Sequence, residues 1–115
     1  MSVRDLVRTY QHEIRDTPDL LPDRAADLLT RLASLLGNCS DEIRAADAAY
    51  AAVLLACLES EAKANRARIR AEISPEYQRK REARDTKELV IELVRSLKYF
   101  LKCKSEEYQM AGHQR

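Results

Sequence analysis

Chain breakers are almost missing from this sequence. Across 115 residues there are two glycines, Gly37 and Gly112, and three prolines, Pro18, Pro22 and Pro75. A β-sandwich, a barrel or a Rossmann-type unit needs turn residues at short intervals, and that supply is absent here. Ala, Leu, Arg and Glu, all good helix formers, dominate instead. The expected fold class is therefore all-α. The length points to a single helical domain over residues 1–110, with a disordered tail over 111–115 around Gly112.

Hydrophobic spacing places the helices. Val3, Leu6, Val7, Tyr10 and Ile14 form one apolar stripe over residues 3–15, followed by a turn at Asp16-Thr17-Pro18-Asp19. Pro22 suits a helix start, where its missing N–H costs nothing. Leu28, Leu29, Leu32, Leu35 and Leu36 line the helix behind it, and Gly37-Asn38 reads as its stop. Ser40-Asp41-Glu42 then opens a third helix with a cap and two acids near its positive end. No glycine or proline follows until Pro75, so this helix is expected to run unbroken for about 45 Å at about 1.5 Å per residue. Its stripe includes Ile43, Ala46, Tyr50, Val53, Cys57, Ala64, Ala67 and Ala71, with alanines on its flanks that allow close helix approach.

Ser74-Pro75-Glu76 caps and starts the last long helix. An interruption is expected near Arg84-Asp85-Thr86, because Asp85 or Thr86 can cap the periodic segment beyond, where Val90, Val94, Leu97, Leu101 and Tyr108 share a stripe. The predicted architecture is an elongated helical bundle built on a long helical hairpin, with two short N-terminal helices. So thin a bundle buries little apolar surface per residue, and self-association through the Ala-rich or C-terminal stripe is expected, as a homo-oligomer, most simply a dimer.

Several chemistries lack their residues. Phosphate-binding loops need clustered glycines, which two isolated ones cannot supply. His12 and His113 stand apart from each other and from any ligand pair, so no metal site and no cofactor is expected. Cys57 and Cys103 fall within apolar stripes and read as core residues, whereas Cys39 sits in a more exposed context with no histidine nearby. The carboxylate pairs Asp23 with Asp27 and Glu88 with Glu92 read as solvated faces, with Glu88 answering Arg84. No catalytic residue is identified, and the expected class is non-enzymatic.

Three widely spaced cysteines fit reduced thiols in a cytoplasm rather than a disulfide framework. The start Met1-Ser2-Val3-Arg4-Asp5 does not resemble a signal peptide, and the longest uncharged stretch, Ala48 to Leu58, is too short to cross a bilayer. A cytoplasmic protein with no membrane partner is expected.

Charge distribution gives the main functional hint. The net charge of +1 conceals an acidic first half, net −5 over residues 1–61, and a basic middle, net +5 over residues 62–84. Lys63, Arg66 and Arg70 share one helical stripe, and Arg79, Lys80, Arg81 and Arg84 follow beyond Pro75. Local partners are available for some of them: Glu59 for Lys63, Glu72 for Arg68, Glu76 for Lys80 and Asp85 for Arg81. Arg66, Arg70 and Arg79 have none in sequence. Clustered guanidinium groups suit phosphate, and Tyr77 is placed to stack on a base. A narrower cationic ridge, Arg95, Lys98, Tyr99 and Lys102, lies on the last helix. Pairing of the basic middle with the chain's own acids is an equally open reading.

The segments Ser74-Pro75-Glu76-Tyr77 and Arg95-Ser96-Leu97-Lys98-Tyr99-Phe100-Leu101, within the C-terminal third, resemble the small charged helical proteins encoded by bacteriophages and prophages. That resemblance implies an accessory role, either in nucleic-acid metabolism or in blocking a host defence complex. Two functions follow as expectations. In the first, Lys63, Arg66, Arg70, Arg79, Lys80, Arg81 and Arg84 contact the phosphates of a nucleic acid or nucleoprotein, with Tyr77 stacking. In the second, Asp16, Asp19, Asp23, Asp27, Asp41 and Glu42 imitate phosphates and occupy a nucleic-acid channel on a host complex, as a counter-defence inhibitor of anti-CRISPR type does. A scaffold that only oligomerises is a third possibility.

Overall fold

Few breakers give few interruptions. A computed structural model, which describes residues 2–113, contains five helices and no strand among those residues: α1 (Val3–Asp16), α2 (Pro22–Ser34), α3 (Leu36–Ser60), α4 (Ala64–Glu72) and α5 (Pro75–His113). None is long and apolar enough to cross a membrane. The helices fall into two compact units, Met1–Leu36 with Glu88–Arg115, and Gly37–Lys87.

In the first unit, Ser2 caps α1 through a reciprocal box: its Oγ accepts from the Asp5 N–H at 3.1 Å, and the Asp5 carboxylate accepts from the Ser2 N–H at 3.3 Å. The Ser2 hydroxyl, donating to Asp5 Oδ2 at 2.8 Å, and then the Ser2 N–H hold the Asp5 carboxyl below its usual range. Pro22 occupies the first turn of α2, as its fixed φ favours. Of the residues expected from the spacing, Val7, Leu28, Leu32, Val90, Val94 and Leu97 are buried, and Leu20 and Ala25, outside the expected stripes, join them; Val3, Leu6, Tyr10, Ile14, Leu29, Leu35 and Leu36 are half-buried. The stripe on α5 fades beyond Leu97, and Tyr108 and Met110 are exposed. The Arg24 guanidinium grips Glu13 of α1 with two hydrogen bonds of 2.6 Å and Asp27 of α2 with a third of 2.6 Å.

In the second unit, α4 folds back on α3. Ala67 and Ala71 lie fully buried against Tyr50 and Cys57, with Val53, Leu54 and Tyr77 packed around them. Ala46 of α3 and Ala83 of α5 are buried as well.

Five local expectations are corrected. No stop forms at Gly37-Asn38: both lie inside α3, and Gly37 has no positive φ. The break is one residue, Leu35, whose N–H turns back to the Leu32 carbonyl at 3.1 Å in a tightened turn. Ser40 is therefore interior to a helix, not its cap. The third helix does not run on to residue 73. It ends at Ser60, whose Oγ donates to the Cys57 carbonyl at 3.2 Å, and the chain turns over residues 61–63. Only by turning back can Ala67 and Ala71 reach Tyr50 and Cys57, so tertiary packing overrides helix propensity there. Finally, α5 is continuous through Arg84-Asp85-Thr86. The Thr86 hydroxyl donates to the Glu82 carbonyl four residues earlier at 2.8 Å, which satisfies it within the helix. The helix also continues through Ala111 and Gly112 to His113; residues 114–115 of the expected tail lie outside the described residues.

Two measurements check this description. An added Cβ at Gly37 meets nothing within 4 Å, so Gly37→Ala should stabilise the chain by up to about 1 kcal/mol in urea unfolding. A loss of stability would indicate the left-handed stop that the sequence suggests. The Arg24 hydrogen bonds hold the Glu13 carboxyl below its ordinary value of 4.5. A carboxyl depressed on folding adds stability above its unfolded value, and that stability is lost as pH falls through the folded value. Glu13→Gln should therefore flatten the decline of the urea midpoint below pH 4.5; an unchanged decline would mean that the pair contributes nothing.

Candidate functional site

The basic middle is built on α4 and the first turns of α5, and half of its cations are engaged. Arg79 Nε donates to Glu42 Oε1 at 2.9 Å, and Arg84 Nη2 donates to Asp47 Oδ2 at 2.8 Å, each reaching from α5 to α3. The Glu42 contact holds the Arg79 guanidinium more firmly protonated than usual. Arg70 Nη1 spans the turn after α3, donating to Ser60 Oγ at 3.4 Å and Glu61 Oε1 at 3.3 Å. Arg70 and Arg79, without partners in sequence, thus find acids of the same chain in space.

Lys80 and Tyr77 are turned to the packing. Lys80 Nζ stands 4.6 Å from the centroid of the Tyr50 ring. Tyr77 is half-buried, its ring 5.3 Å from that of Tyr50 at 47°. The face of Tyr77 assigned to a nucleobase is therefore partly occupied by Tyr50. Burial, the largest influence, pushes the Tyr50 phenol above its usual value.

The remaining cations are exposed. Lys63 is the residue before α4 and points to solvent without capping the helix through its side chain. Arg66, Arg68 and Arg81 are exposed, and none of these four forms an ion pair among the described residues. The local pairs expected within helices do not form: Glu59 does not hold Lys63, Glu72 does not hold Arg68, and Asp85 does not hold Arg81. Glu88 does not answer Arg84, which is taken by Asp47. Exposed pairs four residues apart gain only about 0.3–0.5 kcal/mol, too little to fix two long side chains.

Arg68 was not among the residues picked from the sequence. Beside Lys63, Arg66 and Arg70 it makes α4 the most cationic short element, with Glu72 its one acid. Ile69 of α4 and Ile73, which caps its C-terminal end, are 60% and 80% exposed and set an apolar strip beside these arginines. Their spacing of four, out of phase with Ala67 and Ala71, was the available signal.

Four of the six acids of the alternative surface meet an arginine of the same chain. Asp16 pairs with Arg15 at 3.1 Å, Asp41 with Arg44 at 3.4 Å, and Glu42 with Arg79. Asp27 serves both Arg24 and Arg31. Asp19 and Asp23 alone of the six are exposed without an ion pair among the described residues. The ridge of Arg95, Lys98, Tyr99 and Lys102 on α5 is exposed throughout.

No group of three His, Cys, Asp or Glu residues close enough to hold a metal ion occurs among the described residues, and His12 lies exposed on α1. Cys57 is buried, as its stripe implies, and so is Cys39, contrary to its sequence context. Incorporation of residues 37–40 into α3 turns Cys39 inward, and burial pushes its thiol above its usual value. Cys103 is half-exposed. Native protein treated with iodoacetamide should therefore be modified first at Cys103, with Cys39 and Cys57 reacting only on unfolding; mass mapping that found Cys39 modified equally fast would contradict its burial.

No protein family, no curated protein and no solved structure matches this chain.

Proposed function

We propose that the chain is a non-enzymatic helical binding protein that meets the phosphates of a nucleic acid or nucleoprotein through α4. The observation behind this reading is the set of exposed cations at Lys63, Arg66 and Arg68, none neutralised by a carboxylate of the same chain. Arg70 can join them, because its contacts at 3.3 and 3.4 Å are long and exposed. Arg79 and Arg84, by contrast, tie α5 to α3 and are positioning residues here, while Tyr77 completes the packing of Tyr50. The surface is thus smaller than the basic run in the sequence, and it reads phosphate rather than base.

Such a site is sequence-independent and salt-sensitive. Three to four phosphate contacts give a log–log salt slope of about −3 on duplex DNA. The acidic surface offers less to a competing reading, since most of its carboxylates already hold arginines.

Fluorescence anisotropy with a labelled duplex and a labelled single strand, titrated at several salt concentrations, tests the proposal. Binding at low salt should weaken with that slope, and reversing Lys63, Arg66 and Arg68 to Glu should abolish it. Reversing Arg95, Lys98 and Lys102 should leave it in place. Absence of binding at low salt overturns the proposal, as does loss of binding only in the α5 reversals.

A further inference from the structure

The face of α3 turned away from α4 carries an unusual surface. Tyr50 and Cys57 mark the inner side of α3, with Ala67 and Ala71 against them. On the opposite side, every exposed residue between Arg44 and Glu59 is Ala or Leu. Leu55 and Leu58 are 58% and 45% exposed there, with Ala45, Ala48 and Ala52 among their neighbours. An apolar helical face is normally buried. Here α4 and the start of α5 cover the other side of α3, and this face stays open.

We infer that a second copy of this chain covers that face, packed antiparallel along α3 with the two-fold axis between Ala51 and Ala52. Size and charge both select this register. With the axis at that point, Ala48 of one copy lies opposite Leu55 of the other, and Leu58 comes level with Ala45. The most exposed leucine, Leu55, thus meets a small residue, which lets the helices approach closely. Arg44 comes level with Glu59 of the other copy at both ends of the contact, an opposite-charge pair repeated by the symmetry. Arg44 is held in its own chain only by Asp41 at 3.4 Å, in a pair more than three-quarters exposed, so it is free to turn. A parallel pairing would instead set Leu55 on Leu55, Arg44 on Arg44 and Glu59 on Glu59. Two bulky residues would collide at the centre and like charges would meet at both ends.

The interface is isologous, as closed dimers require: the same patch on both copies, each end matching the other. It is independent of the phosphate-binding reading, because α4 lies on the other side of α3. A dimer would carry two cationic α4 surfaces, and its failure to form would leave the single surface intact.

Sedimentation equilibrium of the full chain tests the inference. The wild type should be a dimer at micromolar concentration. Ala52→Glu brings two carboxylates together at the axis on an exposed helical position. It should give a monomer whose helical circular dichroism is unchanged. Arg44→Glu and Glu59→Arg should each weaken the dimer about tenfold or more, and the double reversal should restore it to within a few-fold. A wild type that stays monomeric at hundreds of micromolar overturns the inference. So does a dimer indifferent to Ala52→Glu. Single reversals without effect, or a double reversal that fails to restore, overturn the antiparallel register.

Discussion

Ala67 and Ala71 lie without exposed surface against Tyr50 and Cys57, and the arrangement of residues 37–87 depends on that contact. Alanine is what makes it possible. A larger side chain at either position would hold α4 away from α3, and overfilling a close-packed contact costs about 1–3 kcal/mol. The turn at 61–63 contains no glycine and no proline, so nothing local forces it. It exists because residues beyond it gain more by returning to Tyr50 than by extending into water. Ser60 and Arg70 then settle the polar groups that the turn exposes.

That return decides the electrostatics as well. Once α4 has folded back and α5 runs along the same unit, Glu42 and Asp47 of α3 stand within reach of Arg79 and Arg84, 37 residues further on. Contacts between helices draw these side chains away from partners one turn along their own helix. The acidic first half and basic middle of the sequence are therefore partly one structure: some of the charge asymmetry is consumed in holding α5 to α3. What is left over concentrates on α4. Its inner side is used up by two alanines, and its arginines have nowhere to point but outward.

Much of this was legible from residue spacing. The all-helical class follows from the shortage of breakers, and the core positions of α1, α2 and the second half of α5 follow from their three-and-four pattern, with Val7, Leu28, Leu32, Val90, Val94 and Leu97 all buried. The Ser74-Pro75 start of α5 was marked by its cap residues. The errors share one cause. Gly37, Thr86 and residues 61–63 were judged by residue type alone; Thr86 is satisfied by the carbonyl four residues back in its own helix, whereas at 61–63 contacts distant in sequence decide the outcome. Gly37 and Thr86 carry stop or cap chemistry but sit in uninterrupted helix; residues 61–63 carry none and break it. The site suffered in the same way. Arg79 and Arg84 belong to the basic run by sequence and to the α3 contact by geometry, whereas Arg68 was assigned to Glu72 and is in fact exposed.

The alanines of α3 admit two explanations, and its leucines separate them. Alanine is the best helix former, so an exposed run of it is consistent with nothing more than helix propensity. Glutamate, lysine or arginine would serve an exposed helical position almost as well and would keep the surface soluble. Leu55 and Leu58 forgo that solubility. At 58% and 45% exposed, they leave about half of their surface in water, and that half adds nothing to folding of the isolated unit, since only area removed from water contributes, at about 25 cal/mol per Å². It contributes only when something covers it. In the proposed antiparallel dimer, Ala48 receives Leu55 of the oppositely directed copy, and Arg44 and Glu59 close the two ends. Close approach through alanine, which draws α4 onto one side of α3, is thus available again on the other side.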